Sequence, residues 1–484
     1  MQKKSTYSVS GWICYGVVFF FLSWILLNIF FGEHIPVDNG NGWDGSTYAN
    51  ITVDFYNFVF RHRLDQYTLQ RILPAGIVYS VYKLVNLPIE RSQIALAFSL
   101  YNFIVVTVSI VLWNQICKLS NWSNKAWLLG FSAIFLNFAQ LKWMTYYPVL
   151  TDTTALFLSI LTLYCFVLKK DYLILIVGIV ASFAFPTQFF LNITLFLFTA
   201  ANRKETAVRV YPRVSILLAV FCASCITGLL FVIYSRFGFQ VTGGNYKMPV
   251  LLLSLMSVFT YLCYTLRPLM IQGFMSLTRL TIVRTVLVII VSIAIRYIIN
   301  LLSDGTSHLT LFQFSLYLTA EALAYPFNFL FSQILYFGPM LILAGLYWRQ
   351  ICAESLVKNT GLSILVAMGV VLLLDSEARQ TINFLPFMVF VTVNMLNKKN
   401  ISWKFVTVFV VMSLVISKAW LTINHGVWPE LTPQLAKMPL EFPLQWFFMN
   451  VGPWVSHTMY IVHALVVAVS FIILLSLIKE KRVA

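Results

Sequence analysis

Residues 13–31 read ICYGVVFFFLSWILLNIFF, a stretch without one charged side chain, close to the ~20 apolar residues a helix needs to cross the hydrocarbon core of a bilayer. The stretch decides the fold because it is not alone. Similar runs recur near 93–116, 126–142, 153–168, 172–188, 189–200, 214–235, 250–270, 285–302, 328–347, 360–374, 382–396, 403–423 and 457–478. Backbone groups in lipid must be satisfied within their own segment, so continuous apolar runs of this kind read as helices. The expected fold is therefore an all-α polytopic membrane protein, a single transmembrane domain over 1–484 with about 11–14 transmembrane helices. The spread comes from 172–200, which reads either as one long helix or as a tight pair around Phe185-Pro186-Thr187.

Composition agrees. Hydrophobic residues make up 60% of the 484 and charged residues only 10%, which leaves a water-soluble fold far too little polar surface to cover its core. Neither a short repeat nor a low-complexity segment is present, so a solenoid or a disordered tail is not expected. The net charge of +16 invites a nucleic-acid reading. Many of the basic residues, however, sit in short segments between runs: Lys118 and Lys125, Lys169 and Lys170, Arg203 to Arg213, Arg279 and Arg284, Lys398 and Lys399, Lys479 to Arg482. These segments fall at every second boundary, and assigning them to the cytoplasm puts both termini inside, provided 172–200 is a pair of spans or none. The basicity is read as topology, and nucleic acid is not an expected partner. The first run leads to no small-residue cleavage pattern and is expected to remain as the first span. The seven cysteines lie in or beside spans, where Cys222 and Cys225 read as small buried residues rather than a redox or metal pair.

Acidic residues are distributed differently. Glu33, Asp38, Asp44, Asp54 and Asp65 crowd into 32–91, and Asp152, Asp304, Asp375, Glu377 and Glu430 also face outward on this topology. The segment 32–91 is read as the first outer loop, periplasmic or lumenal, and it is much longer than a connector requires. Its aromatics, Trp43, Tyr48, Phe55, Tyr56, Phe58 and Phe60, argue for packing rather than disorder. Its second part, Arg71 to Lys83, mixes apolar and basic residues and is expected to lie along the membrane surface or dip into it. Asp44 falls near the start of a helix expected from about Ser46 onward. One reading of it is an N-cap, since a carboxylate there accepts backbone N–H groups and complements the helix dipole.

A resemblance adds a second reading. Trp43-Asp44-Gly45 with Tyr48, just outside the first span, resembles the first-loop motif of GT-C superfamily glycosyltransferases, especially the PIG-V-type mannosyltransferases and related bacterial membrane proteins. The relatives continue into an Arg-x-x-Pro-like stretch, to which Gln70-Arg71-Ile72-Leu73-Pro74 is similar; the chain departs from the pattern at Thr47, where an aromatic is common. Weaker echoes are Tyr147-Pro148-Val149-Leu150-Thr151-Asp152, and Asp375-Ser376-Glu377-Ala378-Arg379 followed by Phe384-Leu385-Pro386. Asp375 and Arg379 also read as a simple i,i+4 pair, and Asp152 as a cap. The resemblance implies a GT-C-like bundle whose first-loop aspartate, here Asp44, is catalytic. It implies a polyprenyl-phosphate sugar donor and a glycan or glycolipid acceptor met in the membrane lipid.

Transfer from such a donor needs a base for the acceptor hydroxyl and positive charge for the phosphate leaving group. Asp44 is the expected base, with a divalent metal ion as a further partner that the residues do not establish. Outward cations expected at the phosphate are Arg61, Arg63, Arg71, Lys142, Arg296 and Arg379, since guanidinium groups bind phosphate oxygens bidentately; for Arg296, snorkelling to the interface is the alternative. Trp43, Gly45, Tyr48, Asp152 and Glu377 complete the expected substrate-binding set. The histidines show no metal-ligand spacing, and P-loop, dinucleotide and nucleophile-elbow motifs are absent. A lipid-linked oligosaccharide flippase and an O-antigen polymerase are the rival functions. Matching halves and midplane charges, the mark of many transporters, are not visible. Short loops favour a bacterial inner membrane over the endoplasmic reticulum.

Overall fold

The computed structural model describes residues 9–62, 64–198, 212–238, 248–273, 282–307, 310–358, 360–399, 401–424, 455 and 457–483. Arg63, Arg203, Lys204, Arg209, Arg279, Glu430, His308 and His425 lie outside the described residues. The described residues form helices and turns without a named strand; their sole β-type pairing is an isolated bridge between Leu64 and Ser303. The chain is an all-α polytopic membrane protein.

In chain order the helices are α1 (Val9–Phe31), α2 (Trp43–Val53), α3 (Leu73–Leu84), α4 (Ile94–Leu119), α5 (Asn124–Phe135), α6 (Asp152–Val167), α7 (Asp171–Ala181), α8 (Pro186–Phe198), α9 (Pro212–Phe237), α10 (Met248–Gly273), α11 (Ile282–Leu302), α12 (Leu311–Leu323), α13 (Asn328–Phe337), α14 (Met340–Leu346), α15 (Trp348–Lys358), α16 (Thr360–Leu372), α17 (Leu385–Asn397), α18 (Trp403–Ile416) and α19 (His457–Val483). Among the described residues six helices, α1, α4, α9, α10, α11 and α19, are long and apolar enough to cross a membrane. Several of the remaining apolar runs are interrupted, each by an identifiable residue. The run 126–142 breaks after Phe135 because the Asn137 side chain donates to the carbonyls of Ala133 and Ile134 and accepts from the Gln140 N–H, competing with the helical ladder. The run 328–347 breaks at Gly338-Pro339, where Gly338 takes a φ of 88°. The run 172–200 is the tight pair, α7 and α8, parted by Ser182 to Phe185 with Pro186 opening the second helix.

Neither arm of that pair reaches across ~30 Å of hydrocarbon, since eleven and thirteen residues at ~1.5 Å each give about 17 and 20 Å. The arms are stapled by polar groups: Asn192 donates to the Ile174 carbonyl at 2.8 Å and to Thr162 Oγ1 at 2.9 Å, and Gln188 donates to Asn192 at 2.7 Å. At the tip, the Phe183 carbonyl accepts the Leu73 N–H at 2.8 Å, joining the hairpin to the first outer segment.

Two polar levels lie at opposite ends of α4. At one end Arg91 meets Asp38 at 2.6 Å, Glu33 meets Lys142 at 2.8 Å, and the Gln66 N–H reaches the Thr306 carbonyl. At the other, Trp122 donates to Asn394 at 2.8 Å and Lys398 meets Glu354 at 2.6 Å. The first level gathers residues expected outside, the second those expected in the cytoplasm.

Segment 32–91 is folded rather than looped. It carries α2, α3 and short turns, and α2 begins at Trp43, a few residues earlier than expected. Helix α3 buries Ala75 and Val78 and leaves Ile77, Val81 and Leu84 exposed, as a helix lying at a membrane surface would.

Candidate functional site

The geometry starts from two glycines. Gly42 precedes α2 with a φ of +74°, and the Tyr147 ring occupies the space its Cβ would fill; a Cβ on Gly45 would lie 2.9 Å from the same ring and 3.0 Å from Val149. The Gly45 N–H donates to the Tyr147 hydroxyl at 3.0 Å, and Trp43 meets that ring edge-on at 6.5 Å. The Trp-Asp-Gly motif is thus seated on the Tyr147-Pro148-Val149 echo. Tyr48 is buried in the core formed with Ala49 and Val149, and Arg71, Asp44 and Arg379 act on its hydroxyl.

Seated like this, Asp44 occupies the first turn of α2, where the dipole favours its charge, but it forms no cap hydrogen bond. Its carboxylate faces Arg379 Nη2 at 3.3 Å and its side chain is 49% exposed. Arg379 is held from the other side by Glu377, with Nε 2.5 Å from the carboxylate. The expected i,i+4 pair of Asp375 with Arg379 is not formed, because these residues lie in a loop and a tight Ala378–Thr381 turn. Asp375 instead accepts the Glu377 N–H at 2.8 Å. Burial works against charge on Arg379, yet Glu377, Asp152 and Asp44 around it outweigh this and raise its pKa.

Asp152 opens α6 without capping it. It is 6% exposed, its Oδ2 has no hydrogen-bond partner, and it lies in the field of Arg379 and Arg71.

Arg71, one of the cations expected at the phosphate, is buried. It is 7% exposed, and among the described residues it has no carboxylate in ion-pair contact and its Nε has no partner. Its guanidinium lies 4.2 Å from the Tyr67 ring centroid and 5.4 Å from that of Phe185. Asp152 and Arg379 also act on it, but a buried cation without a direct ion pair pays a desolvation cost that an anionic ligand would offset.

Arg71 and Arg379 line one cleft of about 500 Å³ together with Tyr67, Glu321, Asp375 and Glu377, and its other wall is Phe185, Phe190, Phe314, Tyr317 and Leu318. The hairpin tip supplies Phe185 and Phe190, and α12 supplies Phe314 to Glu321. The loop carrying Arg379 is pinned from below: the Ser376 N–H donates to Glu321 at 3.1 Å, and Gln333 donates to the Asp375 carbonyl while accepting from Thr381. Burial pushes Asp375 up to about 6, and burial together with the neighbouring Asp375 charge raises Glu321 well above the carboxylate range.

Three expected phosphate cations stand elsewhere. Lys142 is buried against Glu33, and with the Ile423 and Asn424 N–H groups it holds that carboxyl below its ordinary pKa, outweighing the effect of burial. Arg296 is exposed on α11 and is not among the cleft residues; Arg61 stacks over Tyr56 at 5.8 Å. Glu321, by contrast, escaped the sequence reading; its one signal is a lone acid within the apolar stretch Phe314 to Leu323.

Among the described residues no three His, Cys, Asp or Glu side chains converge as metal ligands. The carboxylates nearest Asp44 surround the Arg379 guanidinium, so this donor set does not fit a divalent ion. The chain matches no family model, and comparison with curated proteins and with solved structures likewise returned no significant match.

Proposed function

We propose that the chain is a glycosyltransferase that moves a sugar from a polyprenyl-phosphate donor to an envelope glycan or glycolipid acceptor, working at the outer face of a bacterial inner membrane. The observation that carries this reading is Arg71, a buried cation with no carboxylate in ion-pair contact among the described residues, set in a cleft that carries both charged and apolar side chains. A prenyl phosphate has the matching halves. Its phosphate takes charge-assisted hydrogen bonds from Arg71 and Arg379, and the first isoprene units lie along Phe185, Phe190 and Phe314.

Asp44, beyond Arg379 at the exposed edge, accepts the proton of the acceptor hydroxyl. The acceptor oxygen then bonds to the anomeric carbon as the bond from that carbon to the phosphate oxygen breaks. The electron pair leaves on polyprenyl phosphate, whose added charge the two guanidinium groups stabilise. Phosphate entering the cleft competes with Asp44 for Arg379 and so frees the base. The one-sided placement of charge supports transfer at one face over passage through the protein, the flippase alternative.

The test is transfer of radiolabelled sugar from polyprenyl-phosphate donors to cell-envelope acceptors by purified protein in lipid. Loss of a general base costs about 10²–10⁴ in rate, so Asp44→Asn is expected to fall by that factor while keeping its unfolding midpoint. Wild-type turnover in Asp44→Asn makes this carboxylate a helix-dipole residue only, and absence of transfer by the wild type sinks the proposal in favour of transport.

A further inference from the structure

The cleft lining also holds two carboxyl groups that the transfer chemistry leaves unused. Glu321, from α12, and Asp375, from the loop after α16, are 4% and 6% exposed. Each carboxyl acts on the other, and both line the same 500 Å³ space as Arg71. Glu321 also receives the Ser376 N–H. The other charges acting on the pair are Glu377 and Arg379.

We infer that Glu321 and Asp375 form the subsite that recognises the hydroxyl groups of the transferred sugar, and so decide which lipid-linked sugar is accepted. The inference rests on the donor reading above. Two adjacent carboxyls sharing a proton still present acceptor oxygens to the cleft, which suit the O–H donors of neighbouring sugar hydroxyls. Sharing the proton also keeps the pair to a single negative charge, which limits its repulsion of a phosphate held at Arg71. Arg71, nine-tenths buried with its Nε unpartnered, independently marks the cleft as a ligand site. A site built to hydrogen-bond a hydroxyl rejects analogues lacking it, because its own buried groups are then left unpaired.

The experiment compares binding of polyprenyl phosphate and of its mannosyl and glucosyl esters to protein in lipid nanodiscs, for wild type, Glu321→Gln and Arg71→Ala. Wild type is expected to bind at least one ester more tightly than the bare lipid. Glu321→Gln removes that preference, a loss of about tenfold for a hydrogen bond to a charged group, and leaves the bare lipid within twofold. Arg71→Ala weakens all three. A Glu321→Gln protein that keeps the sugar preference, or weakens bare lipid and esters equally with no fall in its unfolding midpoint, overturns the inference. A wild type that binds the bare lipid and the esters alike overturns it while leaving the phosphate reading standing, and one that binds none removes both.

Discussion

Arg71 is where stability and function part company. Burying a guanidinium to 7% exposure with no carboxylate in contact costs desolvation, against which Asp152 acts, and replacing such buried charge with apolar side chains is often neutral or stabilising by about 1–4 kcal/mol. Methionine has similar reach without the charge. Arg71→Met is therefore expected to raise the unfolding midpoint by a few degrees while abolishing prenyl-phosphate binding, a trade familiar where a site is kept at the fold's expense. Unfolding followed by intrinsic fluorescence, with and without lipid, checks it; a lower midpoint in the unliganded variant means that Arg71 is a structural residue. The sequence made Arg71 visible through its Arg-x-x-Pro setting, as it made Asp44, Asp152, Glu377 and Arg379 visible as polar residues at boundaries. The fold brings these five together from segments more than three hundred positions apart, with Arg71, Glu377 and Arg379 lining the cleft and Asp44 and Asp152 acting on Arg379. Lys142 and Arg296 had equal standing in the sequence, but a partner carboxylate, Glu33, and the orientation of α11 are tertiary facts that no local pattern encodes. Glu321 was missed for the opposite reason, since a lone acid in an apolar stretch carries no motif.

At the scale of elements, length is what the sequence hid. Apolar runs announce burial but not where a helix stops, and the three interruptions lie at an asparagine whose side chain turns back on its own helix, a glycine-proline step and a phenylalanine-proline step. The last creates the α7–α8 hairpin, whose tip walls the cleft with Phe185 and Pro186. Its two arms touch at Gly178, where a Cβ would come within 2.8 Å of the Asn192 Cβ. Overpacking at such a contact costs about 1–3 kcal/mol, and here the strain falls on the arm that positions the tip. Gly178→Val is expected to splay the hairpin, lowering prenyl-phosphate affinity about tenfold with only a small fall in the global midpoint, for the hydrogen bonds of Asn192 to Ile174 and Thr162 are lost locally. Thiol accessibility of a cysteine placed at Thr187 reads the displacement directly, and unchanged labelling in Gly178→Val contradicts it.

For the whole molecule, the two polar levels at the ends of α4 are not equivalent in their response to acid. The outer level holds both the Glu33–Lys142 pair and the Glu321–Asp375 pair, whose shifts have opposite signs. Glu33 has a folded pKa below its ordinary value, so its contribution is present above about 4.5 and is lost as pH falls through the lowered value. Asp375 has its folded pKa raised from 3.8 to about 6, so its protonated form favours the fold below 3.8, and that advantage is lost as pH rises through 6. Glu321, raised by the same burial and by its neighbour, extends the loss toward neutral pH. The stability of the outer level is therefore expected to peak on the acid side of neutrality and to decline on both flanks. Glu321→Gln keeps the shape of the pair but removes the second titrating carboxyl, so its unfolding midpoint should exceed that of the wild type at pH 7.5 and match it at pH 4.5. Glu33→Gln should do the reverse, costing most at pH 7.5 and least at pH 4 as the wild-type carboxyl itself becomes protonated. Thermal unfolding in lipid across pH 4–8 for the three proteins decides the matter. Parallel profiles for Glu321→Gln and wild type would show that the buried pair does not titrate with folding, and that Glu321 and Asp375 are held in one protonation state by the loop they anchor.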